Sequence, residues 1–163
     1  IGLGILVIVA GQVYVSLQPE PVPPVVANTT TLRSTEGGDV VGFIDKYGAR
    51  SWQGIPFAQP PVGSLRWRAP QPPIPNESTL QALKPGALCP QFASLLSGAG
   101  EQAPQGRIAG NEDCLYLNIW SPPNASKRPV MLWIHGGGNT IGHGGSYNGA
   151  ALATQRDLSL IHI

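Results

Sequence analysis

The sequence predicts an α/β fold on three observations. "VMLWI", Val130 to Ile134, is a continuous apolar run of strand length, the kind a sheet buries on both faces. It drops into a glycine-dominated loop, after which "YNGAALATQRD" supports a helix from Gly149 to Arg156. "LSLIHI" then reads as the following strand. Strand, loop, helix and strand alternate as they do where a crossover helix covers a parallel sheet.

The elements before this unit are taken in chain order. Residues 1–17, "IGLGILVIVAGQVYVSL", carry no charge, and only Gln12 and Ser16 are clearly polar. They read as a secretory signal peptide or, alternatively, a signal-anchor that holds the protein to the membrane; a full span takes about 20 apolar residues. The chain opens on Ile1 and closes on an apolar run, so it is expected to be a piece of a longer protein. Residues 18–28 hold four prolines in six positions and predict a semi-rigid spacer. The domain proper is expected over residues 29–163. It begins with "TTLRST" and "DVVGFID", two short strands joined by "EGG" as a hairpin. The stretch "YGARSWQGIPFAQPPVGSLRWRAPQPPIP" has no helical period and predicts an ordered, extended connection pinned by Trp52, Phe57 and Trp67. Residues 77–110 predict a long loop with a short helix near Pro90 to Leu96, and loops of that length are usually functional or stapled. "CLYLNIWSP" alternates as a strand and "SPPNASKRP" as a turn.

Composition excludes several function classes. The net charge is +1, which gives no electrostatic footprint for a nucleic acid or an acidic partner. Charged residues are 12% of the chain, about half the usual share of roughly 25%. The 21 glycines and 17 prolines imply many ordered loops. Two cysteines, Cys89 and Cys114, read as one disulfide in an exported chain, with two reduced buried thiols as the alternative. Closing that loop stabilises by roughly 3.5 kcal/mol in the chain-entropy model. Three sequons, at Asn28, Asn76 and Asn124, favour a secreted glycoprotein.

The glycine loop "HGGGNTIGHGG" raises a chemical question. No lysine follows Gly145, so a Walker-type phosphate loop is out. The loose dinucleotide pattern "GAGEQA", Gly98 to Ala103, follows no strand and reads as chance. Three histidines and two cysteines offer no metal-ligand spacing, so no metal or organic cofactor is implied. An oxyanion loop fits better. Glycines reach φ > 0, bring the backbone close to a ligand and let successive N–H groups face negative charge as it develops.

Several long motifs carry a resemblance to type-B carboxylesterases, the cholinesterase-like α/β-hydrolases. "NEDCLYLNIW", Asn111 to Trp120, looks like that family's second signature, and "VMLWIHGGG" resembles its oxyanion strand and loop. "YGARSWQGIPFAQPPVGSLRWRAPQP" and "SYNGAALA" resemble its N-terminal segment and the stretch after the loop. The resemblance covers about residues 30–160. It implies the N-terminal part of an α/β-hydrolase fold, an N-terminal hairpin and then the first strands of a mostly parallel sheet, incomplete here. It also implies hydrolysis of a small carboxylic ester by a Ser–His–Glu/Asp triad through an acyl-enzyme, with the triad outside this chain. Gly137 and Gly138 would donate two oxyanion N–H groups, and the residue after the nucleophile would donate the third. Cys89–Cys114 would be the family's first disulfide. Arg66 would pair with Glu112 as a structural ion pair, the alternative being two solvated charges.

The chain departs from the family's pattern in places. Asn139 follows the glycines where the family often has an aromatic or small apolar residue. No tryptophan lies between the cysteines, which disfavours a choline ester because the cation–π surface is missing. No G-x-S-x-G occurs; "GGSYN" misses at its last position, so Ser146 is not the nucleophile. His135 is expected to orient the loop rather than act as a base, and His162 to be core or chain end. A cholinesterase-like adhesion protein that kept the scaffold and lost its nucleophile is the alternative function.

Overall fold

The computed structural model describes residues 23–94, 97–99, 102–124 and 126–163. The apolar segment 1–17 and the first part of the spacer lie outside the described residues; Pro23 to Val26 are exposed and without regular structure.

The described residues form ten strands and one α-helix. β1 (Arg33–Thr35) and β2 (Gly38–Val41) form the expected antiparallel hairpin, and β5 (Leu80–Gln81) joins β2 in parallel to complete a three-stranded sheet. A five-stranded sheet has the order β3 (Phe43–Ile44), β4 (Arg50–Pro56), β8 (Tyr116–Ser121), β10 (Ser159–His162), β9 (Val130–Trp133). Its first three pairings are antiparallel, and the parallel part opens at β9–β10. β6 (Gln91–Phe92) and β7 (Ile108–Ala109) make a separate antiparallel pair. Helix α1 (Ala150–Arg156) bridges β9 to β10 as the alternation predicts.

Residue chemistry explains the placement of α1. Asn148 accepts a hydrogen bond from the Ala150 N–H at 2.9 Å and caps the start. Asp157 ends the helix in the left-handed region at φ 52°, with its carboxylate 2.9 Å from Arg128. The small face of Ala150 and Ala153 packs onto Trp120 and Leu160 of the sheet. On the opposite sheet face Trp52 meets Val40 and Ala82, which joins the two sheets. The Trp52 indole N–H donates to Thr31 O, and the Thr31 hydroxyl accepts from Gly42 N–H, so this core is also tied by hydrogen bonds.

Five expectations are corrected. The stretch after the hairpin is not merely an extended connection: Arg50–Pro56 is a strand paired to β3 and β8. Its signal is broken by a register shift between Trp52 and Ile55, where Gly54 takes φ 73°. Trp52 is buried as expected, but Phe57 is partly exposed and Trp67 fully so, and Trp67 anchors nothing here. No helix forms at Gln91 and Phe92, which are strand; residues 95 and 96 of that predicted helix lie outside the described residues. The 77–110 segment is not a bare loop either, since Leu88, Ala93, Ala99 and Ala109 build a small core of their own. Finally, β9 is an edge strand with Val130, Leu132 and Trp133 exposed, not buried on both faces, because β10 is its only neighbour among the described residues.

Candidate active site

The glycine loop leaves the end of β9 and is held at its base by the sheet. Ile163 N–H donates to Trp133 O at 3.1 Å, and His135 N–H to Ile163 O at 3.4 Å. Beyond His135 the chain turns back on itself. The carbonyl of Gly137 accepts three donors: the N–H groups of Thr140 (3.1 Å) and Ile141 (3.2 Å) and the Thr140 hydroxyl (3.0 Å). That carbonyl shares one trans peptide plane with the N–H of Gly138, so the N–H is turned the opposite way, out of the turn. Neither Gly137 N–H nor Gly138 N–H meets an acceptor among the described residues.

Glycine is required at the first of these positions and favoured at the second. Gly137 has φ 127°, and a Cβ there would sit 1.8 Å from Ile141 O. Gly138 has φ 61° with open space around it. Asn139 follows at φ 58°, and asparagine is among the few side chains that tolerate this region. The turn conformation thus accounts for a residue that departs from the family's usual choice.

The two cysteines form a disulfide, with Cα atoms 5.1 Å apart. It sits beside the loop: Cys89, Cys114, Tyr116, Asn118, His135 and Gly142 line one cavity of about 140 Å³. Tyr116 donates to Asp113 at 2.8 Å; burial first, then that hydrogen bond, pushes its pKa up to about 12, so it remains a neutral donor. Arg66 and Glu112 lie 2.5 Å apart, both partly exposed. The hydrogen bond to Glu112, reinforced by its charge, raises the Arg66 pKa above its ordinary value.

All three histidines gather here, which no spacing rule foretold. His135 and His162 stack edge to face at 5.8 Å between ring centroids, and Tyr147 meets His162 at 5.0 Å. His162 is fully buried, and neither ring nitrogen has a hydrogen-bond partner of ordinary geometry among the described residues. Burial first, then the charge of His135, lowers its pKa, partly opposed by the nearby Gly144 backbone. Burial and then His135 lower His143 as well. His143 accepts from Gly145 N–H at 3.1 Å, and Ser146, in the short 3₁₀ turn that follows, is exposed. Among the described residues no three His, Cys, Asp or Glu side chains come together as a metal site.

The sequence model described as "Carboxylesterase family" matches residues 29–163. The chain belongs to the carboxylesterase family. It is similar to the para-nitrobenzyl esterase of Bacillus subtilis (strain 168), 40% identical over 136 residues, which cover 82% of this chain and 27% of that protein. A carboxylic ester hydrolase of Bombus ignitus is 37% identical across 96% of this chain and 27% of its own length. Among solved structures, a PNB esterase superposes with a TM-score of 0.71 at 38% identity, over 81% of this chain and 27% of the other. The α/β-hydrolase assignment stands on that likeness, with this carboxylesterase chain as an incomplete N-terminal part. The chain spans about a quarter of the length of these relatives. Their names are those of hydrolases, and the adhesion-protein alternative is not favoured.

Proposed function

We propose that the full-length protein hydrolyses small carboxylic esters, and that this chain supplies two of its oxyanion donors, Gly137 N–H and Gly138 N–H. The carrying observation is the pair of consecutive N–H groups left without an acceptor while the intervening carbonyl is held by three donors. Donors fixed in advance cost no reorganisation when a carbonyl oxygen turns negative, which is why such holes lower the barrier. A serine downstream would attack the ester carbonyl, and a histidine would take its proton and return it to the leaving alkoxide. A carboxylate would orient that histidine, and water would release the acyl group. His135 orients the loop: its Nδ1 lies 2.8 Å from Gly136 O.

Export belongs to the same proposal. Residues 1–17 would direct secretion or, alternatively, anchor the protein outside the membrane. The disulfide supports an oxidising compartment. Asn76 and Asn124 are exposed and Asn28 is half-buried, which suits glycan acceptors. At Asn28 it is Oδ1 that accepts from Thr30 N–H and the Thr30 hydroxyl, leaving Nδ2 for a glycan. The Arg66–Glu112 pair would hold the segment around the short 3₁₀ turn Gly63–Leu65 against the disulfide.

The test is turnover of p-nitrophenyl acetate by the full-length protein. Gly138→Val keeps the N–H but forces a β-branched residue to φ 61°, and turning that donor off its aim is expected to lower kcat by about 10²- to 10³-fold, the cost of losing one such donor. Gly136→Ala, whose Cβ would meet nothing within 4 Å, is expected to retain activity. Unchanged turnover in Gly138→Val would remove the oxyanion assignment.

A further inference from the structure

We infer that Gln91 is a positioning residue for the oxyanion loop, gripping it through Gly142; the inference rests on the esterase reading above. Gln91 lies on β6, just past Cys89, 51 residues before the backbone it holds. Its side chain is buried and its amide is nearly saturated. Nε2 donates to Gly142 O at 3.0 Å and to Cys89 O at 3.1 Å, while Oε1 accepts from Gly142 N–H at 2.8 Å. One residue's N–H and C=O are thus both taken by one side chain, as a neighbouring strand would take them. Only an amide can donate and accept at that reach; a carboxylate lacks the donor, and a thioether has no donor and only a weak acceptor. Flipping the amide would face donor to donor and acceptor to acceptor, so its orientation is set by these contacts.

The grip is passed to the donors in two short steps. Gly142 abuts the start of the loop: a Cβ on it would lie 3.0 Å from Gly136 O and 3.1 Å from His135 Nδ1. Its predecessor Ile141 places its carbonyl against Gly137 and donates its own N–H to Gly137 O. A shift of Gly142 therefore moves both sides of the Gly137–Gly138 peptide. Residues 136–140 of the loop are exposed, and among the described residues the Gln91 amide is the side chain from another element that hydrogen-bonds Gly142. The disulfide loop thereby acquires a catalytic consequence. It carries the residue that fixes where the donors point.

Displacing such donors by about 1 Å is enough to cost on the order of 10²-fold in rate. The experiment uses full-length protein, p-nitrophenyl acetate as substrate, and diethyl p-nitrophenyl phosphate to count functional sites by the stoichiometric release of p-nitrophenolate. Gln91→Met keeps the volume and removes every hydrogen bond; kcat per titrated site is expected to fall about 10- to 100-fold with KM within about threefold. Gln91→Glu keeps the acceptor and regains the donor only when protonated. Its kcat relative to wild type is expected to climb as pH is lowered from 8 to 5, a rescue that a purely structural role would not produce. Two results overturn the inference: wild-type kcat per titrated site in Gln91→Met, even with fewer sites recovered, or a Gln91→Glu ratio that is flat with pH. Wild-type protein with neither turnover nor stoichiometric release overturns the esterase reading, and this inference with it, before any substitution is compared.

Discussion

His162 occupies the last position of β10 with no exposed surface and, among the described residues, no hydrogen-bond partner of ordinary geometry for either ring nitrogen. The groups that face it are His135, His143 and Tyr147, and no carboxylate is paired with any of the three histidines among the described residues. A positive charge there is opposed by burial and by its histidine neighbours, so the folded state holds its proton less tightly than the unfolded chain. The sign follows from linkage. Above the ordinary value of 6.5 both states are neutral and nothing is lost; as pH falls below 6.5 the unfolded chain takes up the proton first and stability declines. His143, lowered by burial and by His135, adds to the same slope. Urea midpoints of the full-length protein are expected to drop between pH 7 and pH 5, and the drop is expected to be shallower in His162→Phe. Parallel slopes for the two proteins would show that His162 is not the source. At this scale the glycine string was legible because few residue types reach φ 127°, and a run of them advertises the turn. His162 was expected as core or chain end and is buried, but its place beside His135 and Tyr147 was not legible, and neither was the role of Gln91. A glutamine's partner 51 residues away and a histidine's aromatic neighbours both follow from sheet order, which no local pattern encodes.

The disulfide loop is the element with the most to lose from one bond. Its two strands have two residues each, and its apolar centre is Leu88 with three alanines, a small area to set against the entropy of ordering the segment. The Cys89–Cys114 bond closes 25 residues of sequence separation, worth roughly 3.5 kcal/mol through the unfolded chain. Replacing both cysteines by serine in the full-length protein is expected to lower unfolding stability by about 2–4 kcal/mol. Limited proteolysis is expected to cut first between residues 89 and 114. A loss below about 1 kcal/mol, or first cleavage elsewhere, would show that the small core holds the loop unaided. The elements that sequence patterning recovered, β1–β2, β8, β9, α1 and β10, each have an uninterrupted period or a turn signal at their ends. β4 was missed because Gly54 and the register shift beside it interrupt the alternation, and Pro56 suggests a loop. β6 and β7 are too short to carry a period at all. Trp67 shows the opposite failure: its apolar bulk suggested an anchor, yet burial depends on what packs against it, and none of the described residues covers it.

At the scale of the whole molecule the unbalanced feature is the β9 edge. A strand expected to lie inside a sheet presents Val130, Leu132, Trp133 and Ile134 between 42% and 71% exposed, together with an unpaired row of backbone N–H and C=O groups. Covering each of these half-exposed side chains is worth about 1–2 kcal/mol. The sum rivals the roughly 5–15 kcal/mol by which an entire domain is normally stable. An apolar edge of this kind templates pairing with another chain when nothing shields it. This chain spans 27% of the para-nitrobenzyl esterase it resembles, and the remaining length is the expected cover. The 163-residue chain produced alone is therefore expected to bind 1-anilinonaphthalene-8-sulfonate strongly and to elute as oligomers in size-exclusion chromatography. Leu132→Lys, which places a charge on the exposed edge, is expected to reduce both signals in the isolated chain. In the full-length protein the same substitution is expected to do the reverse, lowering stability by burying an unpaired charge. That change of sign between the two contexts separates a covered edge from one that is tolerated bare. If Leu132→Lys were neutral in the full-length protein, the β9 edge would face solvent there too. The glycine loop at the end of β9 would then lack a neighbouring strand to bring it a nucleophile.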